Sequence, residues 1–136
     1  MASFLGCYDQ KVDIKKRLCI PSELREDLGI RFAMVPSPDG CIYCYPSEIW
    51  DLKVAEAVQD GDTPEGRRRQ SKLFGLASMA TMDKNGRVTL PDKLYSHASL
   101  EDSVVIVGAG LRIEIWNPTV YDAFMSVDDE LPNINY

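Results

Sequence analysis

The sequence predicts a mainly β fold with short helices, an α+β chain made of two tandem copies of one small module. Three observations carry that expectation. The first is an internal repeat: Asp13, Arg17, Pro21 and Leu24 recur 70 residues later as Asp83, Arg87, Pro91 and Leu94, with apolar matches at Leu18/Val88 and Ile20/Leu90. The second is composition, since a hydrophobic fraction of 45% within 136 residues is enough for one compact core. The third is size. A module of roughly fifty residues with four short strands cannot bury its apolar side alone, so the two copies are expected to pack as a pseudo-symmetric pair, a closed or interleaved barrel without exposed sheet edges.

Beyond that block the repeat continues with shifts of one or two residues. Residues 28–35 answer 100–107, residues 40–45 answer 111–116, and Trp50 answers Tyr121. Each element can be read in order. Residues 4–12 and 77–82 are strand-like runs ahead of the repeated aspartates. Asn85 and Gly86 signal a tight turn, because glycine accepts a positive φ without steric cost. Lys15 and Lys16 hold the same place without a glycine, so that turn is expected to be of another type or strained.

Residues 17–20 and 87–90 are short strands stopped by Pro21 and Pro91, which suit the first turn of helices over 22–28 and 92–100. Residues 32–35 and 104–107 are apolar strands. Each is followed by a turn (residues 37–40, then Gly108 to Gly110) and a second strand, forming a hairpin. Ile113 and Ile115 alternate with Arg112 and Glu114, as in a half-buried strand. Residues 46–58 and 118–127 read as helices, with Ile49, Leu52 and Val54, or Tyr121, Phe124 and Met125, on their apolar faces. Thr63 followed by Pro64 marks the start of a helix running to Leu76. The expected organisation is a first module over 1–58, a linker and connecting helix over 59–76, a second module over 77–127 and an acidic tail over 128–136.

The net charge of −6 counts against a nucleic-acid partner, since phosphate binding needs local positive charge. The charges are nonetheless unevenly placed. Lys11, Lys15, Lys16 and Arg17 form one basic cluster, Arg67, Arg68, Arg69 and Lys72 a second, and Lys84, Arg87 and Lys93 a looser third. Acidic residues concentrate in 51–62 and in the tail.

Other classes fit less well. The N-terminus has no basic start followed by an apolar stretch, and no apolar run nears the ~20 residues that span a bilayer, so a cytoplasmic location is expected. Four cysteines then read as reduced thiols. Cys41 and Cys44 have the spacing of half a zinc site, but there is no second such pair, and His97 is the only histidine. On a strand, residues three apart face opposite sides, which is wrong for chelation. With no Gly-rich phosphate loop and no metal-ligand cluster, neither catalysis nor a cofactor is expected.

The repeated Asp-x-x-x-Arg block resembles the MraZ family. So do Phe4-Leu5-Gly6, residues 39–46, residues 107–110 and residues 113–116. The resemblance covers nearly the whole chain in family order. It implies a double AbrB-like, swapped-hairpin β-barrel and ring-shaped homo-oligomers. It also implies a nucleoid-associated transcription regulator, expected to be a repressor. Such a regulator would act on double-stranded DNA carrying short direct repeats, upstream of its own operon of division and cell-wall genes. Arg17 and Arg87 are the implied DNA-contacting residues, with Asp13 and Asp83 supporting them. Two departures stand out: Lys16 occupies the place of Gly86, and Tyr95 that of Arg25. The second copy is therefore expected to contribute less to DNA contact, or to contribute through Arg87 alone.

The chemistry suits that role. A guanidinium can grip a phosphate, or the O6/N7 edge of guanine, with two donors at once. An aspartate four residues earlier can hold it in place across a tight turn. Lys11, Lys15, Lys16 and Lys84 would then position phosphates without reading sequence. The plainer alternative is that both pairs only staple their own turns, a contribution of ~0–1 kcal/mol each. An oligomeric protein-interaction module, or an antitoxin of AbrB type, is the rival function.

Overall fold

The computed structural model describes residues 3–135. Its elements run β1 (Cys7–Lys11), β2 (Arg17–Cys19), α1 (Ser22–Leu28), β3 (Arg31–Pro36), β4 (Ile42–Pro46) and α2 (Ser47–Ala57). A 3-10 turn (Val58–Asp60) then leads to α3 (Pro64–Leu76), β5 (Ser78–Thr81), β6 (Arg87–Thr89), α4 (Asp92–His97), β7 (Ser103–Gly108), β8 (Ile113–Trp116) and α5 (Pro118–Met125). The two halves repeat one order of elements, and α3 joins them. Thr63 caps α3 by accepting a hydrogen bond from the Gly66 amide, with Pro64 as its first residue.

Strands of both halves interleave in one antiparallel sheet of order β1-β7-β8-β4-β3-β5. The first strand of each half pairs with the other half: Tyr8 lies opposite Ile106 on β7, and Ser78 opposite Met34 on β3. The two inner hairpins meet where β4 pairs β8, with Tyr43 opposite Glu114 at the centre. The sheet does not close into the expected barrel, because β1 and β5 remain its edges. A separate two-stranded ribbon, β2 paired with β6, lies over one face instead.

That ribbon covers the main core. Leu18, Ile20, Val88 and Leu90 from the ribbon strands and their ends pack with Leu24, Leu28 and Leu94 from α1 and α4, against Phe32, Met34, Ile42, Ile106, Ile113 and Ile115 of the sheet. The opposite sheet face is also covered. Ala33, Val35, Tyr45 and Ile49 pack with Trp50 and Leu73 of α2 and α3, while Cys41, Val105 and Trp116 pack with Tyr121 of α5.

Double coverage changes two expectations. Glu114 is 9% exposed rather than facing solvent. Its carboxylate accepts from Trp116 Nε1 at 3.0 Å and from Arg112 Nη2 at 2.7 Å, and the Arg112 guanidinium lies 4.0 Å from the centre of the Tyr43 ring. The helical faces also differ from their expectation. Ile49 is buried and the Phe124 ring lies 5.1 Å from that of Trp116, but Leu52 and Met125 are largely exposed, since α2 and α5 touch the sheet along narrower strips. Cys41 and Cys44 occupy cores on opposite sides of the sheet, as alternation on a strand requires.

Candidate nucleic-acid interface

Each repeated aspartate builds a turn around itself. Asp13 Oδ1 accepts from the Lys15 and Arg17 amides, both at 2.9 Å, and its carbonyl accepts from the Lys16 amide at 3.0 Å. Asp83 repeats the pattern: Oδ1 accepts from the Asn85 amide at 2.8 Å and the Arg87 amide at 2.9 Å, and the carbonyl from the Gly86 amide at 3.0 Å. Short aspartate side chains favour turns because they satisfy amides two to four residues on. The two turns are thus of one type. Gly86 takes a φ of 77°, and Lys16 takes 59°, so the first turn carries the strain a side chain meets in the left-handed region.

The other carboxylate oxygen holds the arginine. Asp13 Oδ2 accepts from Arg17 Nε at 2.8 Å, and Asp83 Oδ2 from Arg87 Nε at 3.3 Å. The Arg17 amide bond holds the Asp13 carboxyl below the usual carboxylate range, and the Arg87 amide does the same for Asp83. Both aspartates therefore stay ionised at neutral pH. The clamp takes up Nε, and among the described residues no hydrogen bond engages the terminal Nη donors of either guanidinium, the pair suited to phosphate or guanine.

The ribbon brings the two clamps together. Arg17 lies opposite Thr89, Leu18 opposite Val88 and Cys19 opposite Arg87. Leu18 and Val88 point into the core, so Arg17, Cys19, Arg87 and Thr89 share the outward face. The arginines are diagonal neighbours on that face, their backbones about 7–8 Å apart. The ribbon continues past its ends, where the Ile20 amide bonds the Gly86 carbonyl and the Leu90 amide bonds the Lys16 carbonyl, both closing one half on the other.

Each turn is backed by the opposite half. Arg25 of α1 lies against Gly86, donating from Nε to the Ile20 carbonyl at 2.7 Å and from Nη2 to Cys19 Sγ at 3.2 Å. Tyr95 of α4 lies under Lys16, whose ammonium sits 5.0 Å from the ring centre and 2.6 Å from Asp92 Oδ1. The departure at Arg25 and Tyr95 is therefore a difference between the two cross-half contacts.

The structure brings together only part of the expected basic set. Lys15 and Lys84 are exposed on their turns. Lys16 is engaged by Asp92 and Tyr95. Lys11 is on β1, bonded to Ser103 Oγ at 2.8 Å on β7. The Arg67 to Arg69 cluster is answered locally: Arg69 makes a two-pronged pair with Asp60 at 2.6 and 2.9 Å, and Arg68 meets Glu65 at 3.5 Å. One residue of the motif turns escaped the sequence reading: Ile14 sits at a turn tip where its counterpart is Lys84. That mismatch of an apolar residue with a cation was the available signal.

No helix among the described residues is long and apolar enough to cross a membrane. Comparison with known proteins adds a family. The family model described as "MraZ protein, putative antitoxin-like" matches twice, over residues 3–71 and 73–136. A protein of Heliobacterium modesticaldum named Transcriptional regulator MraZ is 40% identical over 115 residues, covering 84% of this chain and 80% of the relative. Proteins of the same name from Alkaliphilus oremlandii and Ligilactobacillus salivarius are 34% and 33% identical, covering 96% and 93% of this chain and 94% and 90% of the relatives.

Proposed function

The chain belongs to the MraZ family, and we propose that it is a sequence-specific DNA-binding transcription regulator whose reading surface is the outward face of the β2–β6 ribbon. One observation carries this reading: two aspartate-clamped guanidiniums, one from each half, share one face of the ribbon, and among the described residues no hydrogen bond engages their Nη nitrogens. Arg17 and Arg87 contact DNA, Asp13 and Asp83 fix their orientation, and Lys15 and Lys84 position phosphates. Lys11 and Lys16 add phosphate contacts only if Ser103 and Asp92 release them. Domain-sized modules over 1–58 and 77–127, joined through 59–76, act as one unit because their strands interleave.

The net charge of −6 fits weak binding by one chain. Several copies in a ring, facing short direct repeats, turn later contacts into intramolecular ones and raise affinity by ~10²–10⁴. The finer role is repression of a cell-division and cell-wall operon that includes its own gene, in the cytoplasm and at the nucleoid.

The test is a fluorescence-anisotropy titration of the full chain against DNA from upstream of its gene, beside scrambled DNA, at two salt concentrations. Specific binding that weakens with salt is expected. The Arg17→Ala/Arg87→Ala variant should lose roughly thirtyfold or more, at ~1–3 kcal/mol per bidentate contact. Equal binding to scrambled DNA at low salt would overturn the reading and leave the two motifs as turn staples.

A further inference from the structure

The two motif turns have the same hydrogen bonds but different tips. Ile14 follows Asp13, and Lys84 follows Asp83. Ile14 is 99% exposed, more than any other exposed large apolar residue among those described. It cannot fold back onto the protein, because bonds from the Lys15, Lys16 and Arg17 amides to Asp13 hold the turn on both sides of it. The duplicated turn shows that the fold makes no demand for an apolar side chain there, since lysine serves in the second copy with the same Asp83 bonds.

A single exposed apolar residue is ordinary on a protein surface. Ile14 differs by its place, at the tip of the turn that clamps Arg17, beside exposed Lys15. Its branched side chain has few rotamers to lose on docking. Phosphates offer it nothing, because it has no donor. The edges of the bases in the major groove offer one apolar group, the C5-methyl of thymine.

We propose that Ile14 reads a thymine methyl in the major groove beside the base or phosphate gripped by Arg17. The two turns of each chain are then chemically different readers, one apolar at its tip and one cationic. This rests on the DNA-binding function proposed above. Burying one methyl's worth of apolar surface is worth about fourfold in affinity.

The experiment uses the full chain and the DNA site it enriches from a random pool. Each thymine in that site is replaced in turn by deoxyuridine, which removes the methyl and leaves every hydrogen-bonding group. Wild-type protein should lose about fourfold in affinity at one or more thymines. Ile14→Lys and Ile14→Ala should bind thymine and deoxyuridine equally at those positions, with unchanged thermal midpoints. Specific binding with no methyl-sensitive position would overturn the inference and leave the regulator intact. Methyl sensitivity that survives in Ile14→Lys would also overturn it, by assigning the contact elsewhere. Failure to enrich any site would overturn both readings together.

Discussion

Replacing Gly86 with alanine adds one methyl group where the two halves of the chain lock together. A Cβ built there overlaps Arg25 Nε and Cζ, so the guanidinium must leave. It then gives up its bonds to the Ile20 carbonyl at 2.7 Å and to Cys19 Sγ at 3.2 Å. A hydrogen bond from a charged donor contributes ~1.5–3 kcal/mol. Alanine must also adopt the φ of 77°, which costs a side-chain-bearing residue ~1–2 kcal/mol. Allowing for the partial exposure of Arg25, the sum is about 2–4 kcal/mol, or a fall in Tm on the order of 10 °C. The two parts separate in a double-mutant cycle. In an Arg25→Ala background the three atoms nearest the new Cβ are gone, so Gly86→Ala should cost mainly the backbone strain, about 1–2 kcal/mol. Urea denaturation of the four proteins at one fixed concentration measures both increments. Equal increments in the two backgrounds, or a Gly86→Ala protein within about 0.5 kcal/mol of the parent, would refute the cross-half lock.

Two more outcomes follow from the sheet. Glu114→Ala strands the buried Trp116 indole N–H and leaves Arg112 unpaired, and should cost about 2–4 kcal/mol, the lower end reflecting the one-third exposure of Arg112. Glu114→Gln keeps an acceptor for the indole and should cost about half as much, and a Glu114→Ala protein as stable as the parent in urea would contradict the network. Cys7 and Cys19 should react with an aromatic disulfide reagent at neutral pH, whereas Cys41 and Cys44 should react only on unfolding. Burial pushes the Cys41 thiol up to about 12 and raises Cys44 as well, so rapid release of more than two equivalents from folded protein would count against the buried placement.

Much of the local structure was legible because it is decided within a few residues. The helix at Pro64 was readable from Thr63 because the cap bond spans three positions. The turns at Asp13 and Asp83 were readable from the Asp-x-x-x-Arg spacing because the carboxylate bonds residues two and four ahead. The turn at Lys16 is expected to be of another type or strained because a glycine stands at its counterpart, and of the two the φ of 59° in a turn of the same type selects strain. The helical faces were less legible. Leu52 and Met125 follow an apolar periodicity, but periodicity reports which side of a helix is apolar and not how wide a strip its neighbour covers.

By itself, then, the sequence determined the duplication, the order of the elements and the chemistry of the two clamps, all matters of short spacing. Which strand pairs with which was decided only in the tertiary structure. The two halves carry nearly the same apolar pattern, so Tyr8 and Ser78 each had equivalent partners in their own half and in the other. The burial of a shared core is what selects the crossed pairing. That choice puts Arg17 diagonal to Arg87, Arg25 on Gly86 and Tyr95 under Lys16. It also buries Glu114, whose alternating strand reads as half exposed until α5 and Tyr43 cover its outer face.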